Sequence, residues 1–433
     1  MKRNYKVSTF IHVFDDNTLW DAINKQKICL EKNLIQYVKN NKGKHYLLNI
    51  PEQLIKEKII ITLDEEKELI KALINQTTDS QFQNLFLVVT TNCNLKCDYC
   101  FYNNKISGSL QNCSYMSKEI AQAAIKQYKK IVSNNLRDEN YWQQITFYGG
   151  EPSLNSSLLK SIIPFVRKEF DNETRIVVNT NLTIYDKDLF EIYEKNGVEV
   201  QVSIDGMKKQ HDKYRHTRDG RGTYDIVMDN IKILLNKGVN VVPLVTASDA
   251  NIDNFSEILL DLTKKIKIKE FGVNILIANS YQVSDNYAKT LAKEMCKAYE
   301  IVGNSCFDSA FIDLYEGILG INKQIVKNSC GCGRKITVFP NGKVLTCQAL
   351  ERHAHNYMGY ITQEIDYENG WLYWRERSRF KNEKCLNCEA VGSCGGGCAM
   401  GSYNKYGTIH NVDFNQCEFT KTLFRLLHNK EKY

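Results

Sequence analysis

The sequence has no apolar run that approaches the roughly 18 residues needed to cross a bilayer. It has no internal repeat and no low-complexity segment, and its apolar (43%) and charged (25%) fractions exclude a fibrous or mainly disordered chain. Lys and Arg exceed Asp and Glu only by 57 to 50 and are spread along the chain, so the dense basic patch of a nucleic-acid-binding protein is missing. His12 interrupts the short apolar stretch near the N-terminus, which is therefore not typical of a secretory signal. We expect a cytoplasmic protein that binds neither membrane nor nucleic acid.

Cysteine, in contrast, is abundant and unevenly placed. Eleven of the 15 cysteines fall in two groups, at residues 93–100 and 330–417. Thiols stay reduced in the cytoplasm, so a disulfide framework explains these groups poorly. Clustered cysteines in a reducing compartment indicate metal binding or catalysis. The four scattered ones are interpreted as small buried side chains, with Cys113 and Cys306 left open as ligands; they are Cys29, Cys113, Cys296 and Cys306.

Three regions follow from the pattern along the chain. Residues 1–80 mix extended pieces, such as 7–14 and 46–50, with helices, one of which opens with a capping box at Thr62 and Glu65 and continues through Ile74. In residues 81–305, predicted strands alternate with predicted helices, and Ser117 and Thr223 can cap two of these helices. The six apolar strand candidates are 85–90, 145–148, 175–178, 198–203, 239–246 and 271–277. Such βα units predict an α/β fold whose parallel sheet curls into a partial barrel, with ligands at the carboxyl ends of the strands. Residues 306–433 are rich in Gly and Cys, with a hairpin predicted at 336–345. Because this region has little regular core, we expect metal clusters to stabilise it.

The first cysteine group directly follows the first predicted strand. Cys93, Cys97 and Cys100 have the spacing C-x3-C-x2-C. Three thiolates bind three irons of a [4Fe–4S] cube and leave the fourth iron open to a substrate or cofactor. A structural zinc ion would need a fourth ligand, and none is evident nearby. The spacing therefore predicts an iron–sulfur cluster with an open iron.

This motif, with the aromatic Tyr99 before its last cysteine, resembles the signature of the radical S-adenosylmethionine (SAM) enzymes. The resemblance implies a partial (β/α)6 barrel, and a [4Fe–4S] cluster on Cys93, Cys97 and Cys100 whose open iron is chelated by SAM. It also implies reductive cleavage of SAM to a 5′-deoxyadenosyl radical that abstracts a hydrogen atom from the substrate.

Further motifs resemble the same family, and each follows a predicted strand: GGEP at 149–152, N-T-N at 179–181 and S-I-D-G at 203–206. In the family, GGEP receives the amino group of SAM; glycine allows close backbone approach, and the Glu151 carboxylate is a partner for an ammonium. The polar groups of the S-I-D-G motif would hold the ribose and methionyl parts, Arg215 could pair with the cofactor carboxylate, and two aromatic rings would flank the adenine. The cofactor-binding positions implied are Tyr99, Phe101, Gly149, Gly150, Glu151, Pro152, Asn181, Ser203, Asp205 and Arg215.

The second cysteine group resembles the SPASM domain, which carries auxiliary clusters. Eight cysteines make two sets of four thiolates, as two further [4Fe–4S] clusters require. The resemblance implies a first auxiliary cluster on Cys330, Cys347 and Cys398, with Cys332 as its fourth ligand. It implies a second one on Cys385, Cys388, Cys394 and Cys417. The alternative is zinc, since C-x2-C pairs also build zinc ribbons.

Radical SAM enzymes with SPASM extensions mostly modify peptides or proteins. We expect a maturase that crosslinks a ribosomally made precursor peptide through a thioether, C–C or C–O bond, with residues 1–80 as a leader-recognition module and a flavodoxin or ferredoxin as electron donor. The alternative is an anaerobic sulfatase maturase, which forms formylglycine from Cys or Ser. Its general base is an Asp directly after the cysteine in the position of Cys347, where this chain has Gln348. An alternative of another class is an iron–sulfur electron-transfer or scaffold protein. Such a protein would not need the GGEP and S-I-D-G motifs.

Overall fold

The computed structural model describes residues 4–78, 81–102, 114–133, 142–170, 172–266, 270–277, 281–327, 331–350, 353, 356–367 and 370–429. Its strands are β1 (Tyr5–Val7), β2 (Ile11–Val13), β3 (Leu19–Asp21), β4 (Gln26–Ile28), β5 (Ile60–Thr62), β6 (Asn84–Thr90), β7 (Gln144–Gly149), β8 (Arg175–Thr180), β9 (Val198–Ser203), β10 (Asn240–Ala247), β11 (Gly272–Ile275), β12 (Lys335–Val338), β13 (Lys343–Leu345) and β14 (Tyr357–Tyr360). Its helices are α1 (Lys32–Asn41), α2 (Glu52–Lys56), α3 (Leu63–Thr78), α4 (Lys118–Val132), α5 (Ser156–Glu169), α6 (Lys187–Lys195), α7 (Lys208–Tyr214), α8 (Tyr224–Asn236), α9 (Phe255–Ile266), α10 (Tyr287–Val302), α11 (Ser309–Ile318), α12 (Leu372–Arg375), α13 (Glu383–Leu386), α14 (Ala399–Tyr406) and α15 (Phe414–Asn429). None of these helices is long and apolar enough to cross a membrane.

Six strands, β6 to β11, form a parallel sheet in chain order, with helices in the connections between them. Three of these strands, β6, β8 and β10, contain buried runs of Val, Ile and Leu, which suits a sheet covered on both faces. In β9 (VEVQVS), buried valines alternate with half-buried polar residues. The register of β6 with β7 pairs Leu85 with Ile145, and that of β8 with β9 pairs Val178 with Val200. All six predicted strands are present, and the predicted α/β fold class of a partial (β/α)6 barrel is confirmed. The carboxyl ends of the strands meet at one edge.

The predicted C-terminal hairpin extends this same sheet. β12 pairs in parallel with β6 and antiparallel with β13, and the turn between β12 and β13 contains Gly342 at φ +82°. The first strand of an open barrel has an unpaired edge, which a further strand can satisfy. The predicted hairpin is confirmed, and its strand β12 pairs with the barrel strand β6.

The helix-start predictions have mixed outcomes. The capping box is confirmed, because the Thr62 N–H donates to Glu65 (2.7 Å) and the Glu65 N–H donates to the Thr62 hydroxyl (3.2 Å). Ser117 accepts from the N–H of Ile120, as predicted. The helix after Thr62 continues four residues beyond the predicted end, to Thr78. Thr223 does precede α8, but its side chain forms no cap and is used in the site described below.

The chain folds into two compact units that do not follow its linear order. One comprises Met1–Asp79, Ser309–Cys330 and Glu376–Tyr433, and is called the cysteine unit; the other comprises Ser80–Asp308 and Gly331–Arg375, and is called the barrel unit. The region predicted as one C-terminal domain, residues 306–433, is therefore divided between them. The functional roles assigned to the three predicted regions stay predictions.

Within the cysteine unit, the N-terminal residues share a core with the C-terminal helix. The strands β2, β3 and β4 form an antiparallel meander, and β1 pairs with β5. Trp20 on β3 is buried, its indole N–H donates to the carbonyl of Glu389 (2.9 Å), and its ring packs edge-on to Phe424 of α15. The extended piece predicted at 46–50 is wrong: it contains no strand, and Leu48 is 82% exposed. β1 takes β5 as its partner instead.

Candidate active site

A cavity of about 750 Å³ lies at the carboxyl ends of the barrel strands. Ten predicted positions line it: Cys93, Cys97, Tyr99, Cys100, Phe101, Gly149, Gly150, Asn181, Ser203 and Arg215. Three others, Glu151, Pro152 and Asp205, are not among the described lining residues. Motifs up to about 120 residues apart in the sequence thus converge, because parallel strands bring their carboxyl ends to one edge of the sheet.

The cysteine loop that follows β6 is held by backbone hydrogen bonds. The N–H of Lys96 donates to the carbonyl of His216 (2.9 Å), and the N–H of Asp98 to that of Tyr214 (3.2 Å). Burial raises the pKa of Cys93 to about 12 and that of Cys97 to about 11. The free thiols are therefore protonated at neutral pH, and a bound metal would have to take the place of the protons. Three thiols on one cavity wall fit an iron–sulfur cube with one open iron.

The glycine pair at the end of β7 is required by close packing against the segment that leads into the cysteine loop. A Cβ at Gly149 would lie 2.2 Å from the carbonyl oxygen of Thr90, and one at Gly150 would lie 2.1 Å from that of Asn92. The N–H of Gly150 donates to Thr90 (3.0 Å). The close approach predicted for these glycines was to the cofactor, and it stays a prediction. Among the described residues, the close neighbour of both glycines is the protein backbone.

Replacing Gly150 with alanine is expected to displace the cysteine loop, since the carbonyl of Asn92 is backbone and cannot rotate away. Misplacement by about 1 Å costs on the order of 100-fold in rate, and SAM cleavage measured by chromatography should fall by that much. Gly238→Ala is the control: it adds the same methyl group at a position where no atom lies within 4 Å of the new Cβ, although Gly238 has a positive φ (+76°) and Gly150 does not. Equal cleavage by the two variants would contradict this account.

Glu151 has partners that differ from the predicted ammonium. Its carboxylate is fully buried and accepts from the Thr180 hydroxyl (2.6 Å), the Asn181 N–H (2.7 Å) and the Ser153 N–H (3.0 Å). Burial raises the pKa of this carboxyl group, and the hydrogen bonds oppose the shift. Glu151 therefore ties the GGEP segment to the end of β8. Pro152 begins the adjoining 3-10 turn, Pro152–Asn155.

Asp205 lies behind Arg215 as a buried anion. Its Oδ2 accepts from Arg215 Nε (2.8 Å) and from the Tyr99 hydroxyl, and its Oδ1 accepts from the Thr246 N–H (3.0 Å). The Arg215 guanidinium lies 5.3 Å from the centroid of the Tyr99 ring. Asp205 thus orients two cavity-lining side chains, whereas direct contact with the cofactor was predicted. Arg215 retains further N–H groups that fit a carboxylate.

Sequence reasoning missed the role of His211 and Thr223. The backbone N–H of Asp205 donates to His211 Nδ1 (3.3 Å), and His211 Nε2 lies 3.0 Å from the Thr223 hydroxyl, which donates to the carbonyl of Arg215. Burial lowers the pKa of His211 to about 4. The ring is therefore neutral at pH 7, and it links Asp205 to the backbone of Arg215. Only the tertiary structure identifies this link.

Tyr148 and Gln348 were not predicted as site residues, but both line the cavity. The Tyr148 ring packs against Phe86, and burial, with smaller contributions from Cys100 and Cys347, raises the pKa of its phenol. Gln348 accepts a hydrogen bond from the Lys335 ammonium at 2.7 Å. The position of Tyr148, directly before the glycine pair at a strand end, is the signal that could have identified it.

A second cavity, of about 190 Å³, lies in the cysteine unit. Four thiols line it, those of Cys385, Cys388, Cys394 and Cys417. Burial raises the pKa of Cys385 and of Cys388 to about 12. A four-iron cube binds each thiolate on a different iron, so its ligands surround a volume. Among the described residues, no three His, Cys, Asp or Glu side chains are grouped to hold a single metal ion.

The set assigned to the first auxiliary cluster stays a prediction. Cys330 lies outside the described residues, as does the side chain of Cys332. Cys347 is buried in the barrel unit, and Cys398 precedes α14 in the cysteine unit. Of the scattered cysteines, Cys296 is buried as expected and Cys306 is partly buried; Cys29 is exposed, contrary to expectation, and Cys113 is outside the described residues.

Comparisons with known proteins show which family and fold this chain is similar to. Residues 87–262 match the model of the radical SAM superfamily. The chain is 25% identical over 381 residues to the radical SAM cyclopropyl synthase TigE of Paramaledivibacter caminithermalis, covering 86% of this chain and 79% of TigE. It is 25% identical over 364 residues to a cysteine-type anaerobic sulfatase-maturating enzyme of Clostridium novyi, covering 77% and 92%. The structure of Streptococcus suis SuiB bound to precursor peptide SuiA matches with a TM-score of 0.56 at 15% identity, covering 96% and 98%, which shows a shared fold.

Proposed function

Because residues 87–262 match the radical SAM superfamily, we propose that the chain matures a ribosomally made precursor peptide by installing an intramolecular crosslink through net two-electron oxidation. The observation that carries the proposal is the 750 Å³ cavity, which has three thiols and the glycine pair on its wall together with Gln348. The crosslink would be a thioether, C–C or C–O bond. A peptide or protein substrate is supported by SuiB, which shares this fold and was solved with a precursor peptide, and by the sulfatase-maturating relative.

The residues of the cavity fit a [4Fe–4S] cluster and SAM. Cys93, Cys97 and Cys100 would bind the iron, and Arg215, oriented by Asp205, would pair with the carboxylate of SAM. When bound, the cluster and SAM supply the one-electron chemistry that removes a hydrogen atom from the substrate. The protein's own residues would position the two groups: the glycine pair holds the cysteine loop, and the remaining lining positions would contact SAM.

The polypeptide around the cavity would hold the substrate and its leader. SuiB, which shares this fold, was solved with a precursor peptide. In the present chain we assign leader recognition to residues 1–80, where the edge strand β4 has exposed Gln26 and Lys27 and could accept a peptide strand. A flavodoxin or ferredoxin would deliver the electron, and the two auxiliary clusters would take up the electron left on the substrate.

Formylglycine formation on a protein Cys or Ser is the second candidate, since the Clostridium novyi relative is a sulfatase-maturating enzyme. Gln348 argues against it. Its amide faces the cavity at the position of the catalytic Asp, and an amide cannot take a proton from an alcohol or thiol at neutral pH. The Lys335 ammonium on its Oε1 holds the amide in place.

The test is an anaerobic reaction with reconstituted protein, SAM and a reductant. We expect 5′-deoxyadenosine, and a peptide encoded by a neighbouring reading frame should lose the mass of two hydrogens for each link. The control is a sulfatase peptide with Cys or Ser at its modification site, which should remain unchanged. Formylglycine in the control peptide would favour the second candidate, and failure to form 5′-deoxyadenosine would favour an electron-transfer or scaffold protein.

A further inference from the structure

Arg379 is a buried guanidinium on the wall of the four-cysteine cavity. Arg379 is only 4% exposed to solvent and lines this cavity. Nε donates to the carbonyl of Val391 (2.7 Å), and Nη2 donates to that of Val326 (2.6 Å). Nη1 is buried and has no hydrogen-bond partner among the described residues. A buried donor without a partner is costly, so it indicates a group that the protein acquires later.

The charges around Arg379 point to the same group. Arg379 lines the same cavity as Cys385 and Cys394. Burial lowers the pKa of its guanidinium to about 10; Cys394 and Cys385 oppose that shift, and Arg377 adds to it. Lys25 is a second cationic neighbour. Within the described chain, no Asp or Glu forms an ion pair with Arg379. A buried cation without a carboxylate partner is unfavourable unless an anion is close, and these cysteines become anionic when they bind iron.

We infer that Arg379 is a positioning residue for the cluster held by Cys385, Cys388, Cys394 and Cys417: its Nη1 donates to a sulfur of that cluster, and its charge raises the reduction potential. This inference rests on the proposed function, which supplies the cluster. Reduction adds one electron and therefore one negative charge to the cluster. The buried Arg379 guanidinium, which is 4% exposed, stabilises that charge. A higher potential makes the cluster a better acceptor for the electron left after hydrogen abstraction.

Three variants test the inference by the midpoint potential of the cluster. The potential is followed by electron paramagnetic resonance in anaerobic redox titrations, with iron content measured on the same samples. Arg379→Gln should lower the equilibrium constant for reduction of the cluster at least tenfold, which lowers the midpoint potential by about 59 mV for one electron. Arg379→Lys keeps the charge and should stay closer to wild type. Lys381→Gln is the matched control, because it removes the same charge from an exposed position two residues away and should leave the potential unchanged.

Each outcome decides the inference. A full iron content with an unchanged potential in Arg379→Gln overturns it, and so does an equal fall of the potential in Arg379→Lys. If Arg379→Gln loses iron, retention of iron at near-wild-type potential in Arg379→Lys supports it. Loss of iron in both variants would assign Arg379 only to its contacts with the carbonyls of Val326 and Val391, and would overturn it. Absence of this cluster from wild-type protein would instead refute the cofactor part of the proposed function.

Discussion

Replacing Cys97 with alanine is expected to abolish SAM cleavage and to lower the iron content from about 12 to about 8 atoms per chain, since three clusters would hold four irons each. Cys97 lies on the wall of the barrel cavity with Cys93 and Cys100. Two remaining thiolates cannot hold a cube with one open iron. The measurements are 5′-deoxyadenosine by chromatography and iron by a colorimetric assay.

The control for this experiment is Cys29→Ala, which removes an exposed thiol outside both cavities. It should retain the full iron content and the wild-type rate of cleavage. Full turnover by Cys97→Ala would show that the active site is elsewhere. Loss of more than about one third of the iron in that variant would show that the clusters do not assemble independently.

Replacing Cys388 with alanine is expected to separate the two halves of the reaction. SAM cleavage should remain near the wild-type rate, because Cys388 belongs to the cysteine unit and the three thiols of the first motif belong to the barrel unit. The crosslinked peptide should fall to background, because the electron left on the substrate would lack its acceptor. Cleavage and product are measured in the same reaction, by chromatography and mass spectrometry.

A parallel loss of cleavage and product in Cys388→Ala would contradict this separation. It would show that the second cluster stabilises the fold, as structural metal sites do. Circular dichroism and thermal unfolding of the variant distinguish the two cases, since a purely electronic defect leaves the melting temperature close to that of wild type. In either case, the barrel cavity remains the proposed site of SAM cleavage.

The strand pattern was a reliable guide in the barrel and a poor one near the N-terminus. β6, β8 and β10 contain buried apolar runs, and burial on both faces leaves such runs few other conformations. Residues 46–50 are mostly apolar and were predicted to be extended. The structure has no strand there, and Leu48 is exposed; β1 pairs with β5. An apolar composition alone does not provide a partner strand.

Most of the motif residues converge on one cavity, as predicted, and their roles toward the cofactor stay predictions. Cys93, Cys97 and Cys100 line the cavity because a local spacing on one loop sets their positions. Glu151 and Asp205 do not, although both lie in motifs of the family. Their carboxylates are instead occupied by donors from other strands and loops, such as Thr180 and Thr246. A motif states which residues are close in sequence, and not which side chain faces the ligand.

The amino-acid sequence by itself determined the cysteine spacing, the order of strands and helices, and therefore the class of fold and the family. These are local properties, decided by periodicity and by the distance along the chain between ligands. The tertiary structure alone decided that the hairpin completes the edge of β6, that His211 and Asp205 orient Arg215, and that Arg379 reaches the four-cysteine cavity. Those arrangements depend on packing between segments far apart in the chain, where the direction of a side chain is set by its neighbours.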